Sequence, residues 1–257
     1  MNKLLGQHFL INKEVPEKII KALELNKGDV VIEIGPGTGA LTFPLIKKCQ
    51  ELDCKLIAIE KDKGLIKNFE NKNGLEIFFG DALKDLEKII PKNKNYKLVG
   101  NIPYYITGKL LRTISELKNK PTNTVLMIQR EVAARITSRP PNMNLLAAAT
   151  QLWAEPKSLF NLPPTDFDPP PQVSSTVIRL KSIDNKMNEK EVANFYKSLH
   201  VIFKQPRKTL FNNLREGMEI PQEDIKIGLN KLKIDLQLRS QNLSLDEIKS
   251  LTNLFTF

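Results

Sequence analysis

Five short runs of residues, at 30–34, 55–59, 75–79, 97–99 and 124–128, are apolar at consecutive positions instead of at every second one. A strand with one wet face alternates, so this pattern predicts strands covered on both faces, as in a parallel sheet. Helix-like segments at 40–50, 63–71 and 108–117 separate the runs. Strand and helix in alternation predict an α/β fold with a doubly wound sheet. Two more strand-like runs follow, around 150–154 and 176–180. Between them, five prolines fall within Pro163-Pro164-Thr165-Asp166-Phe167-Asp168-Pro169-Pro170-Pro171, which predicts a stiff, extended loop. After about residue 183 the pattern turns helical: Val192, Phe195, Tyr196, Leu199, Ile202 and Phe203 share one face, and Ser244 with Glu247 forms a capping box ahead of Ile248, Leu251 and Leu254. The expected division is a catalytic sheet domain over 1–183 and a small all-helical domain over 184–257.

The 257-residue chain carries 39 basic and 29 acidic side chains, a net charge of +10. Residues 182–257 hold 12 basic and 10 acidic groups, so the excess belongs to the body of the chain and not to a detachable tail. Lys and Arg in excess favour a polyanionic partner. No run reaches the roughly 18 apolar residues of a membrane span, and residues 1–8 lack the apolar core of a leader. Two cysteines, Cys49 and Cys54, permit neither a disulfide framework nor a four-thiolate metal site. The expectation is a cytoplasmic, metal-free monomer that does not engage a membrane.

Glu33-Ile34-Gly35-Pro36-Gly37-Thr38-Gly39-Ala40 ends a strand and opens a helix. Glycines there let a ligand approach the backbone at the carboxyl edge of the sheet. Gly35, Gly37 and Ala40 also satisfy the dinucleotide pattern, and Glu60 lies where a ribose-binding acid would sit in either case. This much establishes a nucleoside-type ligand, with a nicotinamide cofactor still open. Glu60 can accept from ribose hydroxyls, and Asp81 of Gly80-Asp81-Ala82 from an adenine amino group.

Asn101-Ile102-Pro103-Tyr104-Tyr105 follows the fourth run. An adenine amine is a poor nucleophile because its lone pair is delocalised into the ring. The Asn101 side-chain oxygen and a backbone carbonyl, stiffened by Pro103, could accept both amine hydrogens and favour a more tetrahedral nitrogen. Tyr104 offers a stacking face for a base taken out of its helix or loop. Such chemistry needs neither a metal nor a general-base histidine.

With these motifs in register, the chain resembles the ribosomal RNA adenine N6-dimethyltransferase family, which uses S-adenosylmethionine. Gly6-Gln7-His8-Phe9-Leu10 is similar to the family's G-Q-N-F-L box, with His8 in place of Asn. The segments at 33–42, 60, 80–82 and 101–105 match its next motifs, and Gln129-Arg130-Glu131-Val132-Ala133 its Q-K-E-V-A. Phe167 with Pro169, Pro171 and Val173 resembles its F-x-P-x-P-x-V box; Phe203 to Leu210 with Asn213-Leu214 resembles the F-x-x-R-R-K-T-L-x-N-N-L stretch, with Pro206 where a basic residue is common. The resemblance implies a Rossmann-like S-adenosylmethionine-dependent methyltransferase sheet. His8, Leu10, Gly35, Gly37, Glu60, Asp81 and Asn101 would contact the cofactor. Asn101, Pro103, Tyr104 and Phe167 would act on the base, the two aromatic rings by stacking. The implied substrate is a pair of adjacent adenines in the 3′-terminal hairpin loop of 16S rRNA in the immature small ribosomal subunit. Lys204, Arg207 and Lys208 would meet RNA phosphate. Trp153 reads as packing and the two cysteines as inert. An oxidoreductase, or an RNA-binding assembly factor without turnover, would leave the segment at 101–104 unexplained.

Overall fold

A computed structural model describes residues 8–69, 72–92 and 94–257. Gly6 and Gln7 of the N-terminal box, and the end of the helix expected to reach Asn71, lie outside the described residues. The chain divides into two compact units, residues 1–133 with 154–182 and residues 134–153 with 183–257. The second unit therefore holds a segment, 134–153, that the sequence places in the sheet domain.

In the first unit the strands are β1 (Phe9–Leu10), β2 (Val30–Ile34), β3 (Lys55–Glu60), β4 (Leu75–Phe79), β5 (Tyr96–Asn101), β6 (Asn123–Gln129), β7 (Ala154–Leu162), β8 (Phe167–Asp168) and β9 (Ser175–Ser182). Seven of them form one sheet in the order β4-β3-β2-β5-β6-β9-β7. The first five are parallel, whereas β9 is antiparallel to β6 and to β7. Strands β2, β3, β5 and β6 are buried almost throughout, as their unbroken apolar runs require. The third run differs. Leu75–Phe79 is the sheet edge, only partly covered, and Phe79 is 51% exposed. The order reverses at β2, whose neighbours are β3 and β5, so the carboxyl ends of these strands open the crevice where such sheets bind ligands.

The helices of this unit are α1 (Val15–Leu23), α2 (Thr42–Glu51), α3 (Lys63–Ile66), α4 (Ala82–Ile89) and α5 (Thr107–Glu116), with α6 (Arg130–Ile136) at the boundary. Helix α1 starts with Pro16 in its first turn, buries Val15, Ile19, Ile20 and Leu23, and stops where Glu24 turns left-handed at φ 54°. The proline-rich loop is extended, and it is pinned: β8 pairs antiparallel with β1, Leu10 opposite Phe167. The Ile11 amide donates to the Asp166 carbonyl at 2.8 Å, and Asn12 Nδ2 to Asp166 Oδ1 at 2.9 Å.

The second unit packs α7 (Leu145–Gln151) with α8 (Glu189–Ile202), α9 (Leu210–Gly217), α10 (Gln222–Lys231) and α11 (Leu245–Leu254) around Phe195, Leu199, Leu214, Ile248 and Leu251. The strand expected around 150–154 begins only at Ala154, as β7, and residues 150–151 instead close α7. Its sequence is rich in Leu and Ala, and Asn144 caps it, accepting from the Ala147 amide at 3.0 Å. Trp153 is buried within this unit. The Ser244–Glu247 capping box is present on α11, and Asn188 with Glu191 forms a second on α8. Asn213 is buried and structural: its Nδ2 donates to the carbonyls of Ile202 and Gln205, holding the turn between α8 and α9. Lys208 binds both oxygens of Glu216 at 2.8 Å, while Lys204 and Arg207 stay exposed.

Candidate active site

A cavity of about 610 Å³ opens at the carboxyl ends of β2, β3, β4 and β5, inside the roughly 300–1,000 Å³ range of small-molecule sites. His8, Leu10, Gly35, Gly37, Glu60, Asp81, Asn101, Pro103 and Tyr104 all line it. The glycine turn has positive φ at Gly35 (66°), Gly37 (59°) and Gly39 (92°). A Cβ on Gly35 would meet no protein atom within 4 Å, so the space beside that backbone is open. At Gly37 the side chain of Phe9 closes in, 3.2 Å from where a Cβ would stand.

Glu60 ends β3, 5% exposed, with its carboxylate held by backbone. Oε1 accepts from the amides of Lys61 and Asp62 at 2.8 Å each, and Oε2 from that of Gly37 at 3.3 Å. The acid thus joins the glycine turn to the end of β3 and keeps lone-pair capacity on Oε2. Asp81 caps α4, Oδ1 accepting from the Leu83 amide at 3.0 Å, and Oδ2 pairs with Lys61 Nζ at 3.0 Å. Burial alone would raise the Asp81 carboxyl. The Lys61 ammonium and the Leu83 amide outweigh it and hold the group below the usual carboxylate range.

Asn101 ends β5. Its Nδ2 donates to the His8 backbone carbonyl at 2.9 Å. A carbonyl can only accept, so this bond sets which end of the carboxamide faces away, and that end is Oδ1. The Ile102 amide donates to the Met127 carbonyl at 3.1 Å, and the Ile106 amide to that of Pro103 at 3.1 Å. Among the described residues no donor is bonded to Asn101 Oδ1 or to the Ile102 carbonyl. Gly100 is needed behind them, because a Cβ there would lie 2.7 Å from the Ile34 carbonyl oxygen. The Tyr104 hydroxyl is 2.8 Å from Ser175 Oγ on β9. The His8 ring lies against that of Tyr104, centroids 5.7 Å apart and planes inclined by 30°. His8 Nδ1 is 2.7 Å from the Pro169 carbonyl and donates to it.

Phe167 is the one predicted site residue that the structure sets apart. Its ring is 3% exposed, packed in the apolar cluster with Leu10 and Met127, and does not line the cavity. Its pairing with β1 turns the ring inward.

Three features escape sequence reading. Ser175 anchors Tyr104 from a strand 71 residues away. Lys61, Lys63, Lys84 and Lys109 line the cavity alongside the acids Glu60, Asp62 and Asp81. Glu33, 1% exposed, also lines it, and its Oε2 has no hydrogen-bond partner among the described residues. Burial, reinforced by the charge of Glu60 and only partly opposed by the Thr42 hydroxyl, pushes the Glu33 carboxyl up to about 8. The motif around Gly35 contains this glutamate, but nothing local signals its isolation. Among the described residues no cluster of His, Cys, Asp and Glu could hold a metal, and no helix is long and apolar enough to cross a membrane.

The parallel sheet with its antiparallel final pair, and a glycine-turn cavity with an acid at the next strand end, define a Rossmann-like methyltransferase. Known proteins give the family. The model for ribosomal RNA adenine dimethylase matches residues 1–256. The chain is 38% identical to ribosomal RNA small subunit methyltransferase A of Dehalococcoides mccartyi, over 97% of this chain and 86% of the relative. It is 38% identical to the protein of the same name from Desulfitobacterium hafniense, over 98% and 91%. A crystal structure of a dimethyladenosine transferase from Plasmodium falciparum superposes with a TM-score of 0.79 at 26% identity, covering 95% and 96% of the two chains. That of the 23S rRNA methyltransferase ErmE superposes at 0.73 with 20% identity, covering 96% and 98%, and shows the fold alone. The chain belongs to the ribosomal RNA adenine dimethylase family. It is an rRNA adenine dimethyltransferase, and its family implies S-adenosylmethionine as methyl donor.

Proposed function

We propose that this enzyme dimethylates the N6 amines of two adjacent adenines in the 3′-terminal hairpin loop of 16S rRNA during small-subunit assembly. The supporting observation is the pair of unengaged acceptors, Asn101 Oδ1 and the Ile102 carbonyl, beside the glycine-turn cavity. Two acceptors match the two hydrogens of an adenine amine. Taking both draws the nitrogen towards tetrahedral geometry and directs its lone pair out of the ring plane. Tyr104, anchored through Ser175, provides the stacking face. The buried ring of Phe167 packs in one apolar cluster with Leu10 of the cavity wall.

S-adenosylmethionine, when bound, supplies an activated methyl group. The residues present fit it: open space beside Gly35, an acceptor at Glu60, an acid at Asp81 and apolar wall from Leu10. Glu60 Oε2 would accept from a ribose hydroxyl, Asp81 from the adenine amino group, and Gly35, Gly37 and His8 would give backbone contact. Rate enhancement then comes chiefly from alignment of two bound groups. In this reading the sheet unit catalyses, the helical unit meets the ribosomal particle through Lys204 and Arg207, and the enzyme works as a cytoplasmic monomer. Mapping dimethyladenosine in small- and large-subunit rRNA of a strain lacking the enzyme tests the proposal. Loss from the 16S loop alone supports it; a retained 16S modification, or loss from 23S rRNA, overturns it.

A further inference from the structure

Tyr104 and Tyr105 occupy consecutive positions of one 3₁₀ turn, Tyr104–Ile106. With three residues per turn, neighbouring side chains diverge by about 120°, so the two rings cannot serve the same base. Tyr104 is the inner ring, with His8 against it and its hydroxyl on Ser175. Tyr105 is the outer one, 64% exposed yet still lining the cavity. Lys109 stands four residues on, on the same face of the helical segment. It too is exposed and lines the cavity, and among the described residues it has no ion-pair partner. Lys61, by contrast, is held by Asp81. The exposed lining of the cavity thus includes an aromatic ring and, four residues on, an ammonium without an ion pair among the described residues.

We propose that Tyr105 and Lys109 form a subsite for the nucleotide next to the target adenine, its base stacked on the Tyr105 ring and its phosphate met by Lys109. The inference rests on reading the cavity as a site for an adenine extruded from RNA. Extrusion strips the neighbouring base of one stacking partner, and a ring at the mouth replaces it. Base–aromatic stacking of this kind changes affinity by about 10- to 100-fold.

The test uses the full-length enzyme and three RNA hairpins of the 16S 3′-terminal loop: intact, abasic immediately 5′ of the target adenine, and abasic immediately 3′ of it. Tyr105→Ala should weaken binding of the intact hairpin about 10- to 100-fold, and Tyr105→Phe should restore it. The alanine penalty should vanish on one of the two abasic hairpins, while the Kd for S-adenosylmethionine stays unchanged. Lys109→Ala should lower the slope of log Kd against log salt by about one. Equal penalties on all three hairpins, or no penalty on any, overturn the subsite. A wild-type enzyme that binds with the predicted sensitivity to the flanking base, yet transfers no methyl group, overturns the proposed function and leaves the subsite standing.

Discussion

The position of one amide hydrogen bond sets what Asn101 can do. Because Nδ2 is committed to the His8 carbonyl, Oδ1 is the end available to a substrate amine. Asn101→Ala should lower the rate of tritiated methyl transfer by at least about 100-fold while cofactor binding stays measurable by calorimetry. Asn101→Asp should be nearly as inactive, since a carboxylate cannot donate to the His8 carbonyl and would be repelled by it. Transfer by the Asp variant at near the wild-type rate would show that orientation through His8 is irrelevant. Glu60 holds three backbone amides as well as offering an acceptor, so Glu60→Ala would disturb the turn itself. Glu60→Gln is the cleaner change and should weaken cofactor binding by about 10- to 100-fold, read by calorimetry. Glu33 makes a stability prediction. Folded, it keeps its proton to about pH 8; exposed in the unfolded chain, it releases it near its ordinary value of 4.5. Between those limits the unfolded state binds fewer protons, so this group's contribution to stability falls as pH rises and is level above about 8. Denaturant titrations of Glu33→Gln against wild type should show the mutant's relative stability increasing over that window. A difference independent of pH would contradict the buried, protonated carboxyl.

At the scale of elements, the short pairing of β1 with β8 governs most of the site. It places His8 beside Asn101 and Tyr104, seats Leu10 in the cavity wall and turns Phe167 into the core. Two paired residues on each strand are invisible to periodicity, which needs longer runs. The same cause explains Phe167: its motif is readable, whereas the direction of its ring depends on a partner strand more than 150 residues away. The glycine turn and the segment at 101–105 were legible because each is contiguous and its chemistry is local. Helix α7 was legible in principle, from Asn144 as N-cap and the Leu-Ala run behind it. The Thr-Gln-Leu-Trp-Ala sequence, whose first two residues close the helix, reads as strand only when the cap is overlooked. Asn144→Ala should cost about 1 kcal/mol and lower Tm by roughly 2–4 °C in calorimetry, since it also removes the bond from Nδ2 to the Arg135 carbonyl.

For the whole molecule, charge is the dominant property. A net +10, with exposed lysines at the cavity and exposed Lys204 and Arg207 in the helical unit, suits a phosphate backbone. Binding of the 16S hairpin should weaken steeply as salt rises from 50 to 200 mM, as counterion release requires. A filter-binding titration that is flat over that range would remove electrostatics as the main source of affinity. Chain organisation also belongs to this scale. Residues 134–153 leave the sheet unit and join the helical one, and the sheet then resumes at β7. Composition does not mark that excursion, because α7 buries its Ala-rich face much as any core helix does.

Taken by itself, the amino-acid sequence determined the parallel sheet, the glycine turn, the acid at the next strand end and the turn that carries Asn101 to Tyr104. Each is written in a short contiguous stretch whose residue types permit few backbone conformations. Only tertiary structure decided which end of the Asn101 carboxamide is free, which aromatic rings line the cavity, which lysines line it and where the second unit begins. Those outcomes depend on long-range pairing between segments, and the energy that selects them resides in contacts that neither segment specifies alone.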